Sequence, residues 1–95
     1  MRWTWDPVKA KKNLEKHKVS FELAECALED PLCISIPVPY PHEDRWRTLG
    51  SPTTDGIVVL YVVHTWPESE LVVGRIISAR KATSHERQEY EERRS

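Results

Sequence analysis

Basic residues interrupt the segment RIISARKA, residues 75–82, whose other side chains are mostly apolar and predict a strand. Arg75, Arg80 and Lys81 bring positive charge into this segment, and burying an unpaired charge costs several kcal/mol. Two interpretations remain open. In the first, the arginines form ion pairs that tie the last helix to the sheet; in the second, they point into a cleft and bind a phosphate through their planar guanidinium groups. The candidate partners for the first are Asp44, Glu86 and Glu89.

A second group of reactive side chains lies in the segment PHEDRWRTLG, residues 41–50. His42, Glu43 and Arg45 stand close together there, at the expected start of a strand. An imidazole or a carboxylate beside a guanidinium group can transfer a proton and stabilise an anion. The alternative is an exposed loop in which Glu43 and Arg45 form a charge pair at the edge of a sheet.

The predicted first helix, residues 7–17, carries a row of polar side chains that is expected to face solvent and to bind phosphates. The row consists of Lys9, Lys12, Asn13 and Lys16. Ala10, Leu14 and His17 share another face, which is expected to be the buried one. His17 also ends the helix, so it either caps the helix or offers an imidazole for proton transfer.

Composition and charge are typical of a soluble globular protein. The chain has 95 residues, 31% charged and 39% hydrophobic, with a net charge of −1, and this length predicts a single domain over residues 1–95. Lysine and arginine are in excess at both ends and acidic residues in the middle. This pattern can give the fold one positive face that attracts phosphates, and the alternative is ordinary solvated surface charge. No signal peptide or membrane span is predicted, and Cys26 and Cys33 are expected to be free thiols of a cytoplasmic protein.

Metal and nucleotide cofactors find little support in the sequence. The four histidines and two cysteines lack the spacing of metal-ligand motifs. The three glycines do not form a glycine-rich phosphate loop. The sequence therefore predicts no metal site and no cofactor.

The hydrophobic pattern predicts the element order β-α-α-β-β-β-β-α. The expected elements are a strand at 2–5, helices at 7–17 and 21–30, strands at 32–36, 44–50, 57–66 and 71–82, and a helix from 84 to about 94. Asp6, Ser20 and a Thr83–Glu86 capping box should begin the helices, and Gly74 is expected to mark a β-bulge. Short connections make the later strands antiparallel. The expected fold is α+β: a twisted antiparallel sheet with two N-terminal helices on one face and one C-terminal helix at its end.

Three segments together resemble the BrnT family of type II toxins. They are WDPVKAKKNLEKHKVSFELAECALEDP, HEDRWRTLG and RIISARKATSHERQEYE, in the family's order over about Trp5 to Glu91. The family usually has glycine after the KH pair, where this chain has Lys18, so a left-handed backbone there carries a cost of about 1 kcal/mol. The resemblance implies a RelE-like fold, RNA cleavage without a metal, and growth arrest. It also implies a BrnA-like antitoxin that brings operator DNA to the complex, in which the toxin can be a homodimer.

Under this resemblance the basic residues take roles in attack by the ribose 2′-hydroxyl on the adjacent phosphate. Arg75 and Arg80 are expected to bind the phosphate with Lys81 in support, and Glu43 or His17 is expected to be the general base. Arg45 is counted with these catalytic residues because it lies beside Glu43. The expected RNA contacts are Lys9, Lys12, Asn13, Lys16 and Trp46. The residues expected to orient the arginines are Glu86 and Tyr90.

Two other functions fit the same sequence. A catalytically inactive relative would act only as the partner of a DNA-binding antitoxin in transcriptional autorepression. Direct DNA binding by this chain alone is disfavoured, because its acidic middle would repel a long duplex.

Overall fold

A computed structural model describes residues 3–66 and 73–94, which form three helices and one five-stranded sheet. The elements are β1 (Trp3–Thr4), α1 (Pro7–His17), α2 (Phe21–Leu28), β2 (Ile34–Val38), β3 (Arg45–Gly50), β4 (Leu60–His64), β5 (Gly74–Lys81) and α3 (Ser84–Arg94). The predicted order and the α+β class are confirmed within this part of the chain. Arg2 of the predicted first strand, the connection at 67–70 between two predicted strands, and the predicted strand start at 71–72 lie outside the described residues.

The sheet is mixed, with the strand order β1-β5-β4-β3-β2. Strands β2 to β5 pair antiparallel, as their short connections predict. The prediction of a wholly antiparallel sheet was wrong for β1, which pairs parallel to β5 through Trp3–Gly74 and Thr4–Arg75. Hairpin reasoning applies only to strands joined by short turns, whereas both N-terminal helices and three strands separate β1 from β5.

The ends of α1 follow from its sequence. The side chain of Asp6 accepts a hydrogen bond from the backbone N–H of Val8, and Pro7 occupies the first turn, where no intrahelical donor is required. Lys18 ends the helix in the left-handed region, at φ 60° and ψ 27°, and its N–H donates to the carbonyl of Leu14. The left-handed conformation expected at this position is therefore present in a residue that is not glycine.

The buried face of α1 differs from the predicted one. Leu14, expected in the core, is 47% exposed, whereas Asn13, expected on the solvent-facing row, is only 8% exposed. The amide of Asn13 donates to the carbonyls of Val19 (3.0 Å) and Ala79 (2.8 Å) and accepts from the N–H of Ala79 (3.1 Å). Since β1 covers only the beginning of β5, this amide supplies the partners that a neighbouring strand would otherwise give to Ala79.

The main core lies between the helices and one face of the sheet. Ser20 caps α2 by accepting a hydrogen bond from the N–H of Leu23, and Phe21, Ala24 and Leu28 form the buried face of this helix. The sheet residues of this cluster are Leu60, Val62, Ile76 and Ala79. This face of the sheet is called the helix side below.

A β-bulge lies near the middle of β5 rather than at Gly74. Val63 is opposite Ser78 and His64 is opposite Ile76, so Ile77 is the additional residue. Gly74 is needed for another reason, because a Cβ atom there would lie 2.5 Å from the indole ring of Trp3.

The bulge determines which side chains of β5 share a face. Ile76 and Ala79 both reach the core on the helix side, although three positions separate them. Arg75 and Arg80 therefore both lie on the opposite face. Strict alternation would have placed these two arginines on different faces.

The opposite face is covered near one end by α3. Tyr90 is fully buried and forms a second cluster with Leu49 and Val59, against which Tyr61 packs. The predicted capping box is present: the N–H of Thr83 donates to Glu86, and the N–H of Glu86 donates to the hydroxyl of Thr83. None of the helices in the described ranges is long and apolar enough to cross a membrane.

Candidate active site

Arginine side chains occupy the face of the sheet opposite the helix side, which we call the arginine face. It comprises Arg45 and Arg47 on β3, Tyr61 on β4, and Arg75 and Arg80 on β5. Pairing fixes this arrangement, because Tyr61 is directly opposite both Leu49 and Arg80, and Arg47 precedes Leu49 by two residues. A set of three adjacent strands thus presents guanidinium groups around one tyrosine.

Aromatic rings stack with these guanidinium groups. The guanidinium carbon of Arg80 lies 3.9 Å from the centroid of the Tyr61 ring, and that of Arg47 lies 5.8 Å from the same centroid. Arg45 lies over the ring of Tyr40 at 3.5 Å. Among the residues that the structure describes, no carboxylate lies within ion-pair distance of Arg47. Its charge is therefore available to an anionic ligand.

Arg80 is held by an acidic partner. Both of its terminal nitrogens donate to Glu86, at 2.8 and 3.0 Å, and one also donates to the carbonyl of Lys81 at 3.1 Å. The hydrogen bond from Arg80 is the main cause that lowers the pKa of Glu86 to about 2, and the N–H of Thr83 adds to it. For Arg80, the geometry corresponds to the ion-pair interpretation of the sequence, in which the arginine ties the last helix to the sheet.

A cleft of about 1060 Å³ lies between the β2–β3 loop, the end of β4 and the beginning of β5. The lining residues that carry its chemistry are Tyr40, His42, Glu43, Trp46, Trp66 and Arg75. The cleft therefore combines aromatic rings, an imidazole, a carboxylate and a guanidinium group.

Glu43 binds two guanidinium groups with a single oxygen. Its Oε1 accepts from Nε of Arg45 at 3.0 Å and from Nη2 of Arg75 at 2.6 Å. The hydrogen bond from Arg45, followed by the charge of Arg75, lowers the pKa of Glu43 below its ordinary value. Two arginines that are distant in sequence thus converge on one anionic oxygen in the cleft.

Three tryptophan rings and the imidazole of His64 pack against one another next to the cleft. The rings of Trp46 and Trp66 lie 6.0 Å apart, and His64 contacts Trp66 at 4.9 Å and Trp3 at 5.2 Å. His64 is fully buried, and burial is the main cause that lowers its pKa. Its Nδ1 lies 3.0 Å from the carbonyl oxygen of Thr65, which can only accept, so Nδ1 carries the proton and Nε2 accepts from the hydroxyl of Thr48.

Several predicted site residues lie away from the cleft. Lys9, Lys12 and Lys16 are exposed on α1, which packs on the helix side, and half-buried His17 ends the same helix. Lys81 is exposed opposite Leu60 and so points to the face away from Arg80.

Two predicted site residues are held inside the protein. Asn13, predicted to contact RNA, is buried and forms three hydrogen bonds to backbone atoms. Tyr90, predicted to orient the arginines, is buried and donates a hydrogen bond to Asp30. Glu86, predicted for the same role, does bind Arg80.

The structure adds residues that the sequence analysis did not select. Arg47 and Tyr61 on the arginine face, and Tyr40 and Trp66 in the cleft, were not among the candidates. The i, i+2 spacing of Arg45 and Arg47 in a strand was a signal for the first. The others carried no local signal, because only the folded sheet brings them near the arginines. No three His, Cys, Asp or Glu side chains are grouped to hold a metal ion within residues 3–66 and 73–94.

The chain resembles known proteins in sequence pattern and in fold. No curated protein matches it. The 1.1 Å crystal structure of the ribonuclease toxin BrnT from Brucella abortus has a similar fold, with a TM-score of 0.59 and 23% identity, over 88% of this chain and 99% of that chain. The model of a family described as "Ribonuclease toxin, BrnT, of type II toxin-antitoxin system" matches residues 5–86. Because this match spans most of the sequence, the chain belongs to the BrnT toxin family.

Proposed function

We propose that this protein is a type II toxin that cleaves RNA and arrests growth, and that it does so without a metal ion. Membership of the BrnT family supports the toxin and ribonuclease assignments. The observation that carries the proposal is the convergence of Arg45 and Arg75 on one carboxylate oxygen, inside a cleft with aromatic walls. Guanidinium groups that bind a carboxylate in this way have the donors to bind a phosphate instead.

In the proposed reaction, the ribose 2′-hydroxyl attacks the adjacent phosphorus and the 5′ oxygen leaves. Arg45 and Arg75 bind the non-bridging oxygens and stabilise the negative charge that grows on them. A donor of this kind lowers the free-energy barrier of the reaction by on the order of 3 kcal/mol. The Oε1 atom of Glu43 stands where a phosphate oxygen would bind, so RNA and Glu43 compete for the same two arginines.

The flanking RNA is proposed to extend from the cleft onto the arginine face. Arg47 supplies a charge without a carboxylate partner in the described residues, and Trp46 offers a ring for base stacking in the cleft. Arg80 would join only if phosphate replaces Glu86. Lys81 and the lysines of α1 point elsewhere and would contact RNA that bends around the sheet edge; they are Lys9, Lys12 and Lys16.

The biological setting is part of the same proposal. The chain acts as one cytoplasmic toxin domain over residues 1–95, with a RelE-like fold. A BrnA-like antitoxin neutralises it and brings the complex, with the toxin as a homodimer, to operator DNA. The description of the matching family supports an antitoxin partner.

Cleavage of RNA in the presence of EDTA tests this function. Purified protein is incubated with total RNA and, in parallel, with polysomes, and new ends are analysed for 2′,3′-cyclic phosphate. Arg75→Ala should lose cleavage, whereas Arg87→Ala should retain it, because Arg87 pairs with Glu91 on the exposed face of α3. Failure of the wild-type protein to produce cyclic phosphate from either substrate would contradict the proposal.

A second candidate function is a binding module without catalysis. It is favoured by one observation: Arg75 and Arg80 already have internal partners, Glu43 and Glu86. Such a protein would bind its antitoxin and support repression, but it would leave RNA intact. The same cleavage assay separates the two functions.

A further inference from the structure

One of the four histidines lines the cleft of the proposed cleavage site. His64 is buried with both ring nitrogens in hydrogen bonds, and His85 pairs with Glu89 on the exposed side of α3. His17 ends α1 on the helix side. Only His42 is among the residues that line the cleft.

Within residues 3–66 and 73–94, no side chain or backbone group is bonded to the imidazole of His42. It is exposed, and in the part of the chain that the structure describes it forms no hydrogen bond and no ion pair. The carboxylate of the next residue, Glu43, accepts hydrogen bonds from Arg45 and Arg75, and these contacts lower its pKa. In the protein without RNA, this carboxylate is stabilised as an anion by two guanidinium groups and is therefore a weak proton acceptor.

From this geometry we propose that His42 is the catalytic general base of RNA cleavage. This inference rests on the ribonuclease function proposed above and assigns its proton-transfer step. His42 and Arg75 line the same cleft from the β2–β3 loop and from β5, so an RNA phosphate bound by Arg75 would lie in the cleft that the imidazole also lines.

The proposed step is balanced without any further reactant. Nε2 or Nδ1 of neutral His42 accepts the proton of the 2′-hydroxyl, and the O2′–P bond forms as the P–O5′ bond breaks. The departing O5′ takes a proton from solvent water, and the imidazolium returns its proton to solvent. The products are a 2′,3′-cyclic phosphate and a 5′-hydroxyl, with no net consumption of water.

Other titratable or charged groups line the same cleft, and their effect on the cleavage rate must be distinguished from that of His42 in any pH experiment. Within the described residues these are Tyr40, Glu43 and Asp44 of its own loop and Arg75 of β5. An imidazole is the side chain among these types that ordinarily titrates between pH 5 and 8. If the rate of cleavage rises with pH in that range, and this rise disappears when His42 is replaced, the rise is assigned to His42.

The test is single-turnover cleavage by His42→Ala and His42→Gln, with His85→Ala as the matched control. Both His42 variants should lose at least about 100-fold in rate, the scale of general acid–base catalysis, and should lack the rise of rate with pH. Binding of a 2′-O-methyl RNA should stay at the wild-type level. Added imidazole should restore cleavage by His42→Ala but not by Arg75→Ala.

Two results would overturn the inference and leave the ribonuclease function intact. One is a His42→Ala rate within about threefold of the wild-type rate. The other is a loss that imidazole does not restore, in a variant with a lowered melting temperature, which would make His42 structural. By contrast, a wild-type protein that forms no cyclic phosphate contradicts the ribonuclease function itself.

Discussion

Replacing Asn13 should destabilise the protein strongly, although the residue lies in a helix among exposed lysines. In Asn13→Ala, the N–H of Ala79 and the carbonyls of Ala79 and Val19 lose their side-chain partner. Ala79 and Val19 are each only 1% exposed, so water does not easily replace the amide. The two parts of the fold that this amide joins are the end of α1 and the edge of β5.

The magnitude follows from the three backbone groups that lose a partner. A buried polar group left without a hydrogen bond costs about 1–3 kcal/mol, which gives at least about 3 kcal/mol for three groups. Alanine recovers roughly 0.5 kcal/mol through its higher helix propensity. The net loss of about 2.5 kcal/mol lowers the melting temperature of a domain of this size by roughly 10–20 °C.

Urea unfolding followed by circular dichroism measures this loss. The midpoint should fall by more than about 1 M with an unchanged m value, while Lys12→Ala, at the preceding exposed position, should stay within about 0.5 kcal/mol of wild type. Asn13→Asp should be worse than Asn13→Ala at neutral pH, because a carboxylate oxygen then faces two carbonyl oxygens. A loss below about 1 kcal/mol in Asn13→Ala, together with weakened RNA binding, would refute the reasoning and restore Asn13 as an RNA contact.

Three further predictions concern ionisable groups. Glu43→Gln should bind a 2′-O-methyl RNA more tightly, by about threefold or more in Kd, because it weakens the competitor for Arg45 and Arg75; weaker binding in a filter assay would contradict this. Glu86 has a pKa of about 2 in the folded protein, below its ordinary value of 4.5. The ionised carboxylate therefore stabilises the fold fully above pH 4.5, and this stabilisation is lost as the pH falls towards 2. The stability difference between wild type and Glu86→Gln should therefore be about 1–2 kcal/mol at pH 7 and shrink in acid, and a difference independent of pH in thermal melts would count against the ion pair. His64 has a pKa below 6.5 in the folded protein, so protonation favours the unfolded chain as pH falls through that value; the stability advantage of wild type over His64→Gln in urea should decline from pH 7 to pH 5, and a growing advantage would exclude this assignment.

The helix boundaries could be predicted from sequence because their causes are local. Asp6 and Ser20 accept hydrogen bonds from N–H groups two and three residues ahead, and the Thr83–Glu86 box also closes within one turn. Such contacts depend only on residue types at fixed spacing. The later hairpin strands were predictable for a similar reason, since short turns leave their chains little choice of direction.

The role of Asn13 and the parallel pairing of β1 could not be predicted in this way. Both concern the outer edge of β5, whose partners come from segments more than sixty residues earlier in the chain, such as Asn13 and Ala79 with a separation of 66. A helical wheel gives the periodicity of α1 but not the chemistry of the surface it meets. An apolar helix face was expected, whereas the edge of β5 required an amide.

The candidate site was predictable in part. The proximity of Glu43 and Arg45 follows from their positions, and the structure joins them by a hydrogen bond. Arg75, a further 32 residues away from Glu43, reaches the same oxygen only because the sheet order and the bulge in β5 place it there. A one-residue shift in register exchanges the two faces of a strand, so no alternation pattern alone could assign Arg75 and Arg80 to one face.

The carboxylate of Glu86 accepts hydrogen bonds from two parts of the fold, the N–H of Thr83 and both terminal nitrogens of the Arg80 guanidinium. The first turn of α3 and Arg80 of β5 therefore depend on the same carboxylate. A polyanion that attracts Arg80 would strain the beginning of the C-terminal helix, and a partner that grips this helix would hold Arg80 back. Anion binding at Arg80 and the stability of the first turn of α3 therefore depend on the same carboxylate.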